Sequence, residues 1–251
     1  MNTKRKRMFN SSSSSKACQA SPSSTGNSVN LGVLEWELMP EPQANADARN
    51  FNVRDNANCF YKGYRICRLF ECETQTSPIE VHYAVIQFGP QVYERFTEDT
   101  SGFATEFKQK FFRDYSDQSD RAVDFNDYPA TGATLWDMRK NCAAMNPNRG
   151  YRIIFHKKRI LHPRIAIDNR TGADVPVDGG RRYFWKIDKW LKIGKRHTFE
   201  NRSTTRSNTP FMEVFWTNTV FGQDMPSSNP GSVEAARTYR YHTLYFGDAA
   251  I

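Results

Sequence analysis

The sequence predicts an all-β fold: a single eight-stranded jelly roll with one short inserted helix and a disordered, basic N-terminal arm. Three observations predict it. Apolar and aromatic runs, many of them β-branched, recur along the chain between turn residues, about eight in all, the number a jelly roll needs. One run carries three aromatics in succession at four-residue spacing, the mark of a helix. The first thirty residues are too polar and too repetitive to pack.

The arm comes first. Residues 1–30 hold a serine run, Ser11–Ser15, and a second Ser/Pro/Gly-rich stretch from Ser21 to Gly26. Such a segment buries too little apolar surface to offset the entropy of ordering it. Its tip, Lys4, Arg5, Lys6 and Arg7, has no apolar stretch behind it, so it reads as a basic arm or nuclear address and not as a secretory signal. Folding is expected from about residue 29, where Leu31, Val33, Leu34, Trp36 and Leu38 appear. Residues 31–251 form the jelly-roll domain.

Strands are then expected at 59–73, 79–88, 150–161, 164–168, 181–193, 211–219 and 238–246. In the first of these Tyr64, Ile66, Phe70 and Cys72 share one parity and Arg65 and Glu71 the other, as a half-buried strand requires. The run at 79–88 is rich in Val, Tyr and Ile. Between it and the strand at 150 lies the exception: Phe103, Phe107 and Phe111 recur every fourth residue, with Thr100 or Ser101 as N-cap, which predicts a short amphipathic helix over 100–112. The acidic stretch 114–127 and a turn at 129–132 follow as a long polar connection.

Charge is segregated along the chain. The net charge is +8, yet residues 31–138 sum to −8 and residues 139–206 to +13. Solubility alone does not require such segregation, whereas a polyanion partner for one surface does. The basic block centres on residues 181–196. Read as a strand, Trp185, Ile187, Leu191 and Ile193 face the core, with Lys189 the exception on that side. Arg182, Phe184, Lys186, Asp188, Trp190 and Lys192 face outward. Cations bind phosphates and aromatic rings stack on unpaired bases, so this face suits a single strand of nucleic acid. The alternative for Phe184 and Trp190 is packing against a neighbouring subunit or loop. The candidate nucleic-acid-binding residues are Lys4, Arg5, Lys6, Arg7, Lys157, Lys158, Arg159, Arg181, Arg182, Lys186 and Lys192.

Other functions leave motifs that are missing here. There is no phosphate-binding Gly-rich loop with a following Lys-Ser/Thr, no Gly-x-Ser-x-Gly elbow and no paired histidines flanking an apolar residue. The carboxylates at 114–127 read as a solvated loop and not as a glycosidase pair. An enzyme is not expected, nor is a cofactor. The five cysteines, Cys18, Cys59, Cys67, Cys72 and Cys142, are odd in number and irregular in spacing, which points to reduced thiols. A zinc set drawn from Cys59, Cys67, Cys72 and His82 lacks any tight Cys-x-x-Cys pair, so no metal is expected. No apolar run approaches bilayer length, so no membrane partner is expected either.

Several pieces, taken in order, resemble a known family. They are Val81-His-Tyr-Ala-Val-Ile86, Phe111-Phe-Arg-Asp-Tyr115 with Ala122-Val-Asp-Phe-Asn-Asp127, and Tyr151-Arg-Ile-Ile-Phe-His-Lys-Lys158. Then follow Arg181-Arg-Tyr-Phe-Trp-Lys-Ile187, Phe199-Glu-Asn201, Phe211-Met-Glu-Val-Phe-Trp216 and Thr243-Leu-Tyr-Phe-Gly-Asp248. Over roughly residues 60–248 this order is similar to the coat proteins of geminiviruses and of related small circular single-stranded DNA viruses such as genomoviruses. The resemblance implies a capsid protein that self-assembles into an icosahedral shell around a single-stranded DNA genome. Its places would be the virion and the host nucleus, with a host import receptor as a further partner. Geminivirus coat proteins carry a longer and more basic N-terminal region than this one, so a simple shell is expected and not a twinned particle. Two other classes compete. One is a viral nuclear shuttle or movement protein that binds single-stranded DNA without building a shell. The other is a jelly-roll carbohydrate-binding or hydrolytic domain, which would show an aromatic cleft with paired carboxylates and no cationic arm.

Overall fold

The computed structural model describes residues 16–19, 27–31, 34–43, 54, 57–72, 78–89, 150–163, 165–167, 174–176, 182–200, 206–220 and 234–248. Every regular element among them is a β-strand, and every pairing is antiparallel. In chain order the strands are β1 (Lys16–Gln19), β2 (Asn27–Asn30), β3 (Glu35–Leu38), β4 (Asn58–Glu71), β5 (Ile79–Phe88) and β6 (Tyr151–Leu161). Then come β7 (Ile165–Ile167), β8 (Asp174–Pro176), β9 (Phe184–Thr198), β10 (Phe211–Thr219), β11 (Glu234–Arg240) and β12 (Thr243–Asp248). The helix expected over 100–112 lies outside the described residues.

Two sheets carry the architecture. In the first, β4 has β9 along one edge and β11 and β12 end to end along the other. β2 and β1 continue outward from β11 and β12 in the same way. The second sheet runs β3-β10-β5-β6. The pairings nest. The first strands of the chain meet the last, β3 meets β10, β4 meets β9 and β5 meets β6. The short β7–β8 hairpin falls in the connection between β6 and β9.

Side-chain alternation explains the layering. On β4, Tyr64, Ile66 and Phe70 are fully buried while Arg65 is exposed. On β9, Trp185, Ile187 and Leu191 are buried and Ile193 packs against the same core. From the second sheet Tyr83, Val85, Phe155, Phe211 and Phe215 join them. Rings meet across the gap: Phe70 lies 5.8 Å from Phe215 and Tyr64 lies 5.3 Å from Phe211, both edge to face. Burying each such aliphatic or Phe side chain stabilises the fold by about 1.5–3 kcal/mol. The second sheet has a second apolar cluster on its other face, built on Ala84, Ile86, Met212, Val214 and Trp216. That is why the run at 79–88 reads as almost continuously apolar whereas β9 alternates.

The sheets correct the sequence reading in two places. Twelve strands are described where eight were expected, because one C-terminal strand is interrupted at Tyr241 and His242 and short strands escape pattern recognition. Residues 16–19 and 27–30, assigned to a disordered arm, form β1 and β2, and their ladders to β12 and β11 supply what their composition does not. Cys59 lies near the start of β4 and Cys72 just past its end, thirteen residues and so about 40 Å apart along an extended chain, too far to share one ion. Cys59 and Cys72 are buried, as is Cys18, and Cys67 is half-buried.

A register slip shapes the outer end of β9. Tyr61 pairs with Lys195 but Gly63 with Lys192, so β9 carries one residue more than β4. Gly194 absorbs it at φ 62°, a left-handed conformation that costs glycine little.

Candidate nucleic-acid interface

The two edge strands on one flank of the sandwich, β6 and β9, are both cationic. They adjoin: the Lys189 ammonium of β9 lies 4.5 Å over the Phe155 ring of β6. β6 contributes Arg152, Lys157, Lys158 and Arg159, and β9 contributes Lys186, Lys189, Lys192, Lys195 and Arg196. Asp188 is the one acid within the two strands. Charges also guard edge strands against pairing with another chain, so the density of cations and not their mere presence points to a polyanion.

The outward face of β9 is as its parity predicts. Arg182, Phe184, Lys186, Asp188, Trp190 and Lys192 are all exposed. The Arg65 guanidinium donates to both carboxylate oxygens of Asp188, at 3.3 and 3.2 Å. That hydrogen bonding holds the Asp188 carboxyl below its ordinary range and neutralises the acid. Among the described residues neither Lys186 nor Lys192 forms an ion pair with a carboxylate, although the charge of Lys186 also helps to lower Asp188.

The basic triple on β6 divides. Lys157 and Arg159 pair in register with Tyr83 and Val81, whose side chains face the core, so they rim the inner side of the flank. Lys158 points to the outer face of the second sheet, where its ammonium lies 3.2 Å from Glu80. Glu80 also meets His82 at 2.9 Å, and His82 stacks on Trp216 at 4.6 Å and approaches His156 at 3.3 Å. The hydrogen bond with His82, aided by Lys158, draws the Glu80 carboxyl down to about 2. Burial lowers His156 to about 4. Lys158 therefore already has an anionic partner on a face turned away from Lys186 and Lys192. Lys157 and Arg159 lie on the inner side of β6, the side on which Lys189 meets Phe155, whereas Lys186 and Lys192 lie on the outer face of β9. Arg181 and the cluster Lys4, Arg5, Lys6 and Arg7 lie outside the described residues.

The sequence reading missed a buried charge cluster between the sheets. Glu213 of β10 is fully buried and sits 3.6 Å from Arg68 of β4, 3.6 Å from Arg240 of β11 and 2.8 Å from His242. Glu37, which pairs with Glu213 in register, also meets Arg68 and Arg240. The Cys67 amide donates to His242 Nδ1 at 3.2 Å, which places the ring proton on Nε2, facing Glu213. Burial alone would raise the Glu213 carboxyl, but Arg68, His242 and Arg240 together hold it far below the carboxylate range. For Glu37 burial prevails and the carboxyl is raised. A signal was available. Arg68 shares the parity of Ile66 and Phe70, and Glu213 that of Phe211 and Phe215. Opposite charges at two core-facing positions imply a pair.

A second buried carboxylate, Glu41, accepts from the Ser207 amide at 3.1 Å and from the hydroxyls of Ser207 and Tyr61. It ties the chain after β3 to the approach to β10. Both clusters are internal ties, whereas the β6–β9 flank faces outward. Searches with the sequence match no protein-family model and no curated protein.

Proposed function

We propose that the chain is the coat protein of a small circular single-stranded DNA virus, a jelly-roll subunit that packages its genome through sequence-independent phosphate contacts. The nested pairing of strands, first with last down to β5 with β6, is the observation that supports this best. A hairpin of eight strand positions rolled so that alternate pairs fall in two sheets is a jelly roll. It counts β1 with β2 as one position and β11 with β12 as another. The flank of β6 and β9 supplies the cations. Phosphate contacts position a strand without reading its bases, as packaging of a whole genome requires.

On this reading the protein is structural and not an enzyme. Its partners are further copies of itself, the single-stranded genome and a host import receptor, and its places are the virion and the host nucleus. Purified protein should form closed shells of about sixty copies or a multiple, because closure repeats one contact set. Electron microscopy with and without single-stranded DNA tests this. Protein that stays monomeric or dimeric at high concentration in both conditions would overturn the shell, and retained DNA binding would then favour the shuttle or movement protein.

Lys4, Arg5, Lys6 and Arg7 are assigned to nuclear entry. Their replacement by alanine should abolish nuclear accumulation of a fluorescent fusion, and unchanged accumulation would remove the assignment.

A further inference from the structure

We propose that Trp190 is a stacking platform for unpaired bases, held beside the cations that take the phosphates. The proposal rests on the phosphate-binding reading above and adds to it a residue that meets the bases.

Trp190 is 49% exposed, more than any other large apolar side chain among the described residues. It stands on the outer face of the first sheet, yet it is not loose. Its ring leans over Gly63, where an added Cβ would come within 2.7 Å of the indole and 2.5 Å of the Leu191 carbonyl oxygen. The missing side chain is thus the seat of the ring. Tyr245, the register partner of Gly63 on β12, meets the indole edge to face with centroids 5.5 Å apart. The ring is fixed from beneath and from one side, and half of it is open to solvent.

Cations stand next to it in the register. Lys192 is the partner of Gly63 on β9, and Arg65 is the partner of Trp190 itself on β4, its guanidinium fixed by Asp188. A partially immobilised aromatic surface beside Lys192 suits a ligand that is planar and polyanionic at once, and single-stranded nucleic acid is both. A second copy meeting this face with its own would oppose Lys186, Lys192 and Arg196 to their counterparts, a like-charge contact. Phe184, 44% exposed at the far end of β9, extends the same surface.

The test uses full-length, unassembled protein and two probes of equal length, an oligo-dT and an abasic oligodeoxynucleotide. Wild type should prefer oligo-dT. Trp190→Leu should lose about tenfold in affinity for oligo-dT, the scale of one aromatic–base stack, and little for the abasic probe. Trp190→Phe should recover most of the loss. Both variants should match wild type in circular dichroism, and if Trp190→Leu is unfolded the comparison of Trp190→Phe with wild type on the two probes decides. Equal affinity of wild type for both probes would overturn the platform and leave the phosphate reading intact. A Trp190→Leu protein that binds oligo-dT normally but no longer assembles would overturn it in favour of a subunit contact. Failure of wild type to bind either probe would overturn both readings.

Discussion

Replacing Glu213 with alanine should destabilise the protein by about 3–5 kcal/mol, the usual cost of removing one partner from a buried ion pair. The carboxylate is fully buried and compensates Arg68, itself 1% exposed, and Arg240. Without it the Arg68 guanidinium stays in the core, and two of its nitrogens, Nε and Nη2, already have no hydrogen-bond partner among the described residues. Urea unfolding of unassembled protein at neutral pH would measure the loss. Arg68→Met combined with Glu213→Leu should cost less than either change alone, because apolar replacement of both partners leaves no stranded charge. The pH dependence has a definite sign. A carboxyl held below its unfolded value contributes stability above about pH 4.3, and this is lost as the pH falls towards the folded value. The penalty of Glu213→Ala should therefore shrink on acidification. A loss below about 1 kcal/mol at pH 7, the scale of a solvent-exposed ion pair, would mean that the cluster contributes little.

That cluster marks the limit of what periodicity reveals. A period of two tells which face a side chain takes, and it placed Trp185, Ile187 and Leu191 inward and Lys186 and Lys192 outward, as found. The strands expected at 79–88 and 211–219 coincide with Ile79–Phe88 and Phe211–Thr219. Periodicity does not say what lies across the sandwich, so Arg68 and Glu213 remained two unrelated charges until the sheets were stacked. The same limit hid β1 and β2. Lys16–Gln19 and Asn27–Asn30 are four residues each, and they are strands because β12 and β11, more than two hundred residues away in sequence, offer them ladders. Arg152, Lys157 and Arg159 were legible as cations of a strand. That β6 adjoins β9 at a common flank depends on topology, and a local reading of either segment contains nothing of it.

Lys186→Ala combined with Lys192→Ala should weaken single-stranded DNA binding equally for two unrelated oligonucleotides. It should also flatten the slope of log affinity against log salt by about 1.4. Each phosphate contact with a single strand contributes about 0.7 to that slope, through counterions released on binding. Both lysines are exposed on the face of β9 opposite Trp185, Ile187 and Leu191, so the core is untouched and the circular dichroism spectrum should be unchanged. A lysine that served only to guard an edge strand would leave the slope as it was and promote aggregation instead. Unequal weakening would mean base readout at these positions, which a packaging surface does not need. An unchanged slope would place the DNA elsewhere. Lys157 and Arg159, on the neighbouring edge strand, would be the next pair to replace, because they rim the same flank without the Glu80 partner that Lys158 has.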